Sequence, residues 1–166
     1  MEIRLATYKE LNNWWDNAIK KHPDDNAYVV WKKSFVKENV NGKRKTFYAI
    51  DNGKIVGQCT LLLESEDKTM TGNNRAELIK LEIIPSYRNK GLATKIFNVI
   101  EQYAKNIKIK ELTIGVEPSE IRNMQIYFHW GFTHYLQTIT ETYPPKNSET
   151  LGETIVVICY SKDIAD

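Results

Sequence analysis

Arg88-Asn89-Lys90-Gly91-Leu92-Ala93 is the stretch of this chain whose residue types and spacing offer chemistry through the backbone itself. It lies between an apolar run, Leu78-Ile79-Lys80-Leu81-Glu82-Ile83-Ile84, bounded by Pro85, and a segment where Leu92, Ile96, Phe97, Ile100, Tyr103 and Ile107 recur at three- and four-residue steps. The run reads as a mostly buried strand and the segment as a helix with one apolar face. Gly91 therefore falls where a strand turns into a helix, and the first N–H groups of that helix have no partner within it. Unpaired donors and the positive end of the helix dipole coincide there, which is the chemistry of an anion site. A glycine lets a phosphate approach the backbone closely. Neither the G-x-x-x-x-G-K-[ST] loop of nucleotide hydrolases nor the G-x-G-x-x-G of dinucleotide folds occurs in the chain. The turn reads as a pyrophosphate site of another kind.

Composition bounds the rest. With 166 residues, 42% hydrophobic and 27% charged, the chain fits a single soluble domain spanning residues 1–166 with a real core. A net charge of +2, with no basic stripe interleaved with aromatics, gives no case for a nucleic-acid partner. Met1-Glu2-Ile3-Arg4 opens a strand rather than a signal peptide, and no apolar run reaches membrane-spanning length. Cys59 and Cys159 are isolated and far apart, so they read as buried small hydrophobes in a reducing cytosol, and a cytoplasmic location is expected. His22, His129 and His134 lack metal spacing, so no metal is expected.

The elements that must position the turn follow in order. Ile3–Leu5 is a short strand. Thr7-Tyr8-Lys9-Glu10 is a capping box opening a helix with Leu11, Trp14, Trp15, Ala18 and Ile19 on its buried side, stopped by Pro23. Asp24 or Asp25 caps a second helix carrying Ala27, Val30, Trp31 and Phe35, closed by Asn41-Gly42. A hairpin runs from Thr46–Ile50 through the Asp51-Asn52-Gly53 turn to Lys54–Glu64. After a polar loop, Ser65–Asn74, comes the strand from about Arg75 to Ile84. The turn helix is followed by a strand at Leu112, Ile114 and Val116, a helix from about Ser119 to Trp130, and closing strands at Phe132–Thr142 and Thr154–Tyr160. The order β-α-α-β-β-β-α-β-α-β-β makes an α/β fold with a mixed sheet and helices on both faces.

Pro85-Ser86-Tyr87-Arg88-Asn89-Lys90-Gly91-Leu92-Ala93 is similar to the P-x-Y-R-x-K-G-x-G/A of the GNAT superfamily of acetyl-CoA-dependent N-acetyltransferases. Ile126-Tyr127-Phe128-His129-Trp130-Gly131-Phe132 resembles that family's L-Y-x-x-x-G-F about forty residues on, and the element order matches over essentially the whole chain. The resemblance implies a GNAT-like fold, a central mixed sheet with a splayed pair of parallel strands that bind the coenzyme. It implies acetyl-CoA as co-substrate, with its pyrophosphate on the backbone of Arg88, Asn89, Lys90, Gly91, Leu92, Ala93 and Thr94. The pantetheine would pair along Leu81, Glu82 and Ile83 like an added strand, and one N–H of that edge would face the thioester carbonyl. Tyr127 would protonate the departing thiolate. An alkyl ammonium has a pKa near 10.4, so something must take its proton. Glu77 is the first candidate; by strand alternation it shares a face with Ile79 and Leu81, while Glu82, the second, points the other way. A water chain remains a third option. Where the family often has an asparagine seven residues before the tyrosine, this chain has Glu120, with Asn123 four before it.

The expected reaction is acetylation of a small-molecule primary amine; the alternatives are a protein N-terminus or lysine, or a non-catalytic acyl-CoA-binding module. Trp14, Trp15, Asp16, Tyr28 and Trp31 line an acceptor pocket or fill the core. The carboxylates Glu64, Glu66, Asp67, Glu117, Glu120 and Glu141 fall near strand ends, where they suit a polyamine or aminoglycoside or form a solvated rim. The resemblance also suggests a homodimer through the closing strands.

Overall fold

A computed structural model describes residues 1–165. Its first elements are strand β1 (Glu2–Leu5), helix α1 (Tyr8–Lys21), helix α2 (Ala27–Val40) and the hairpin of β2 (Arg44–Asp51) and β3 (Lys54–Leu62). Strand β4 (Arg75–Ile83) leads through a 3-10 turn (Pro85–Tyr87) into α3 (Leu92–Asn106), β5 (Glu111–Val116), α4 (Ile121–His129), β6 (His134–Thr142) and β7 (Thr154–Asp163).

Local chemistry sets most of these boundaries. The Thr7 hydroxyl accepts from the Glu10 N–H and the Glu10 carboxylate accepts from the Thr7 N–H, the reciprocal capping box that starts α1. The hairpin turns at Asn52 and Gly53, both at positive φ (48° and 74°), as a tight turn matched to strand twist requires. For α2 the cap differs from expectation. Asn26 is the N-cap residue, and Asp25 acts behind it by accepting from the Ala27 N–H at 3.0 Å. Val30 on that helix is exposed, as is Ile107, which lies just past the end of α3.

The seven strands form one sheet in the order β1-β2-β3-β4-β5-β7-β6, in which only β4 and β5 run parallel. Helices cover both faces. Phe47 of β2 meets Tyr103 of α3 at 5.2 Å, whereas its neighbour Tyr48 meets Trp14 of α1 at 5.9 Å on the other side. The α3 stripe of Ile96, Ile100 and Ala104 packs with Leu112, Ile114 and Val116 in the main core. Each buried isoleucine there contributes roughly 1.5–3 kcal/mol. α4 leans on α3 through Phe97 and Trp130, stacked 4.5 Å apart.

Two irregularities shape the centre of the sheet. The β4–β5 ladder runs from Arg75 opposite Glu111 to Leu78 opposite Ile114 and stops, although β4 continues to Ile83 and β5 to Val116. The strands part beyond that point. On its other edge β4 carries a bulge: Gln58 pairs with Glu82 and Thr60 with Ile79, so Cys59 alone faces both Lys80 and Leu81. Lys80 sits there at φ 57°, a conformation that disfavours residues with a Cβ by about 1–2 kcal/mol.

The bulge overturns the alternation expected for Glu77. Leu78 and Leu81 both join the core under α3, while Lys80 lies over the Trp15 and Trp31 rings of α1 and α2, with Glu82 beside it. Glu77 faces the side of Gly115, opposite to Ile114 and Val116. Glu77 and Glu82 thus share the α1/α2 face, and Leu81 points away from both. No helix among the described residues is long and apolar enough to cross a membrane.

Candidate active site

Gly91 is the residue on which the strand-to-helix turn closes. It adopts φ 74° as the N-cap of α3, and no side chain among the described residues caps the helix. A Cβ there would meet nothing within 4 Å, so the backbone conformation, not crowding, selects glycine. The N–H groups of the first helical turn are left facing outward. The cleft above them holds about 460 Å³ and is lined by Arg88, Asn89, Gly91, Leu92, Ala93 and Thr94 on one side and by Leu81, Glu82 and Ile83 of β4 on the other. Of the residues expected to bind coenzyme, only Lys90 is not part of this lining. Its ammonium turns back to the Ser86 carbonyl at 2.8 Å.

The register of β4 shows which backbone groups look into the gap. The Ile84 N–H donates to the Val56 carbonyl at 3.1 Å, so by alternation Glu82 also turns its amide toward β3. Leu81 and Ile83 then present their N–H and C=O groups to the space that β5 has vacated. Arg88 closes the far end, donating Nε to the Ile83 carbonyl at 2.9 Å.

α4 supplies the opposite wall. Arg122, Asn123 and Ile126 line the same cleft, and Arg122 donates to the Asn89 side chain across it. A guanidinium above a helix N-terminus doubles the case for an anion. Arg122 was not singled out from the sequence, although its place one turn before Ile126-Tyr127 on an amphipathic helix was a usable signal. Glu120 does not reach the cleft. Its carboxylate accepts from the Glu117 N–H and from Asn123, so it makes no cap bond to α4 but orients the asparagine that does line the cleft.

Tyr127 stands on the α3/α4 side, its ring 5.8 Å from Trp130 and 6.3 Å from Phe132. It borders a narrow crevice with Cys59, Leu78, Leu81, Phe97 and Trp130, so Leu81 is common to the crevice and the coenzyme cleft. Burial, reinforced by Cys59 and Glu120, raises its phenol well above the usual range and keeps it protonated. No hydrogen bond to its hydroxyl is made by the described residues.

Glu77 enters from the other face. A Cβ on Gly115, the first β5 residue past the last ladder pair, would lie 3.9 Å from its Oε1 and only 2.6 Å from Val157 Cγ1. The carboxylate thus lies beside Gly115 at the end of the ladder, partly buried and outside the lining of the coenzyme cleft. Burial pushes it up to about 8, helped by the negative charges of Glu141 and Asp67 and opposed by Arg44. Glu82 accepts from Gln58 at 2.7 Å and from Lys80 at 2.8 Å.

Of the aromatic residues considered for an acceptor pocket, Trp14, Trp15 and Tyr28 do line a cavity, on the α1/α2 face. Asp16 is outside it, paired with Lys32 at 2.6 Å, and Trp31 packs edge-on against Tyr28 and Tyr143. Glu64, Glu66, Asp67, Glu117, Glu120 and Glu141 line neither this cavity nor the coenzyme cleft. Among the described residues no group of His, Cys, Asp and Glu could hold a metal ion.

Known proteins share the chain's sequence pattern and its fold. The acetyltransferase (GNAT) family model matches residues 6–132. The chain is 25% identical over 108 residues to an uncharacterized N-acetyltransferase of Schizosaccharomyces pombe, covering 65% of this chain and 72% of that protein. Its fold is similar to the ribosomal-protein-alanine N-acetyltransferase of Brucella melitensis, with a TM-score of 0.69 at 15% identity over 98% of this chain and 99% of that one. It is also similar to a putative acetyltransferase of Salmonella typhimurium solved with its cofactor acetyl-CoA, with a TM-score of 0.68 at 12% identity over 100% and 95% of the two chains. Because the matched span takes in the glycine turn, the parted strands and Tyr127 together, the chain belongs to the GNAT family of acetyltransferases.

Proposed function

We propose that the protein moves the acetyl group of acetyl-CoA to a primary amine of a small molecule by direct attack, with no covalent enzyme intermediate. One observation carries the reading. A single cleft is lined by an uncapped helix N-terminus at Gly91, by Arg122, and by the open edge of β4 at Leu81 and Ile83. That is a cradle for a pyrophosphate continued by a strand-like edge for an amide-containing arm. Family membership, together with the coenzyme in the Salmonella relative, supports acetyl-CoA as the molecule that fits it.

The chemistry follows from what surrounds Leu81. Its N–H, turned into the gap, is a donor for the carbonyl oxygen that gains charge when the amine attacks. The amine nitrogen bonds to the thioester carbon and the C–S bond breaks. The thiolate takes a proton from Tyr127, and the attacking nitrogen gives its proton to Glu77, so an amide and free coenzyme A leave. Holding both reactants at one opening supplies much of the acceleration. A carboxyl raised to about 8 is a far better match for an ammonium than one near 4.5.

The test is release of free thiol from acetyl-CoA in the presence of amines, with thermal denaturation followed in parallel. A coenzyme-induced rise in Tm and thiol release with an amine are expected. A rise without release by any amine would contradict transfer, and no rise would contradict the coenzyme site.

A further inference from the structure

The cavity on the α1/α2 face holds about 550 Å³ between α1, the start of β3 and the bulged half of β4. Trp14, Trp15 and Tyr28 form its aromatic wall, and Lys80, Glu82 and Ile84 form its β4 side. Glu82 lines both this cavity and the coenzyme cleft, so the two openings meet at the carboxyl end of β4. An amine in one can reach a thioester in the other there.

The charge of this cavity does not suit a polycation. Its two carboxylates are already engaged: Glu10 is held bidentately by Arg4 at 2.8 and 3.0 Å, and Glu82 by Lys80 and Gln58. Lys21 and Lys54 line the mouth and have no carboxylate partner among the described residues. With Arg4 balancing Glu10 and Lys80 balancing Glu82, these two lysines leave a positive excess. A polyamine entering meets like charge, whereas a carboxylate is drawn in.

Lys80 is the cation at depth, and the chain takes on backbone strain to put it there. In a regular strand Lys80 would follow Leu78 into the core under α3. The bulge, with Lys80 at φ 57°, swings it instead onto the acceptor face, where its ammonium lies 5.6 Å from the Trp15 ring and 6.0 Å from Trp31. A strained residue beside a reactive gap points to a function for its side chain.

We propose that the cavity takes an amine bearing its own carboxylate, an aminocarboxylate with an apolar or aromatic side chain laid against Trp14 and Tyr28, and that Lys80 binds the carboxylate. This rests on the acetyl-transfer reading above and names its acceptor class. On binding, the Lys80 ammonium passes from Glu82 to the ligand's carboxylate.

Binding of phenylalanine, leucine and methionine is compared by calorimetry with binding of their amides, which lack only the negative charge, and of spermidine, with and without coenzyme A. The acids are expected to bind about tenfold or more tighter than their amides, with spermidine weakest. Lys80→Met keeps the stem and the backbone strain but removes the charge, and should bring the acid-to-amide ratio close to one. Amides or spermidine binding as tightly as the acids, a ratio that survives Lys80→Met, or binding by none of the ligands would each overturn the proposal. The Tm shift with coenzyme A in the same samples reads the transfer proposal separately. Its absence sinks that reading, whereas a normal shift with no preference for acids sinks this one alone.

Discussion

Glu77 illustrates how far a single side chain's behaviour depends on its surroundings. Burial beside Glu141 and Asp67 holds its proton up to about pH 8, against 4.5 for a free carboxyl. In the proposed role of base it must be ionised, so kcat/KM should fall about tenfold per pH unit below 8, and Glu77→Gln should lower the rate by 10²-fold or more while acetyl-CoA still binds. A pH–rate profile with no inflection near 8 would remove Glu77 from the mechanism. The same shift bears on stability with a definite sign. The folded state keeps a proton that the unfolded chain releases near 4.5, so stability contributed by Glu77 declines as pH rises from about 4.5 through 8. Glu77→Gln, fixed in a neutral form, should therefore match the wild type at pH 4 and be more stable at pH 9 by on the order of 1–3 kcal/mol, the carboxylate being only partly shielded. Tyr127→Phe should leave coenzyme affinity intact and reduce kcat by roughly 10²-fold, since the thiolate would depart without its acid. Tyr48 is a different matter. It is wholly buried against Trp14, and its hydroxyl has no partner among the described residues. Tyr48→Phe should raise stability by about 1 kcal/mol, readable as a higher urea midpoint at unchanged slope.

At the level of elements, the glycine turn and the bulge act through the same backbone region φ > 0 but differ in how legible they are. Gly91 announces itself, because a glycine between an apolar run and a helical stripe has few other uses. Gly91→Ala meets no clash, yet should cost about 1 kcal/mol in stability and weaken acetyl-CoA binding by setting a methyl beside the phosphate donors, which calorimetry would show. The bulge at Lys80 carries no such mark. Leu78, Lys80 and Glu82 keep an even spacing that reads as regular alternation, and a lysine at positive φ has no compositional signature. That is why counting along the strand sets Glu77 and Glu82 on opposite faces, whereas they lie on the same one. The α1 capping box, the Asn52-Gly53 turn and the α3 stripe were legible for the opposite reason: each is settled by residues within a few positions of one another.

For the molecule as a whole, the sheet divides two tasks between its faces. The α3/α4 side offers anion donors and Tyr127; the α1/α2 side offers the aromatic and basic cavity and Glu77; the cleft and the cavity meet at Glu82, at the carboxyl end of β4. The fold order and the glycine turn could be read from the sequence, but not the charge of the acceptor side. Lys21, Lys54 and Lys80 come from three distant segments and converge only in three dimensions, while Asp67 and Glu141, two of the carboxylates that suggested an acidic cleft, gather beside Glu77 and outside that cavity. Arg122 is likewise brought to the phosphate turn by the placement of α4 alone. Arg122→Ala should weaken acetyl-CoA binding by about tenfold and reduce its salt dependence. The account's central claim is that the coenzyme lies along the open edge of β4 with its pyrophosphate on the α3 N-terminus, and residue-resolved amide hydrogen exchange with and without acetyl-CoA tests it most directly. Slowed exchange at Leu81, Ile83 and Gly91 through Thr94 is the predicted result; unchanged exchange at those amides while acetyl-CoA is bound would contradict it.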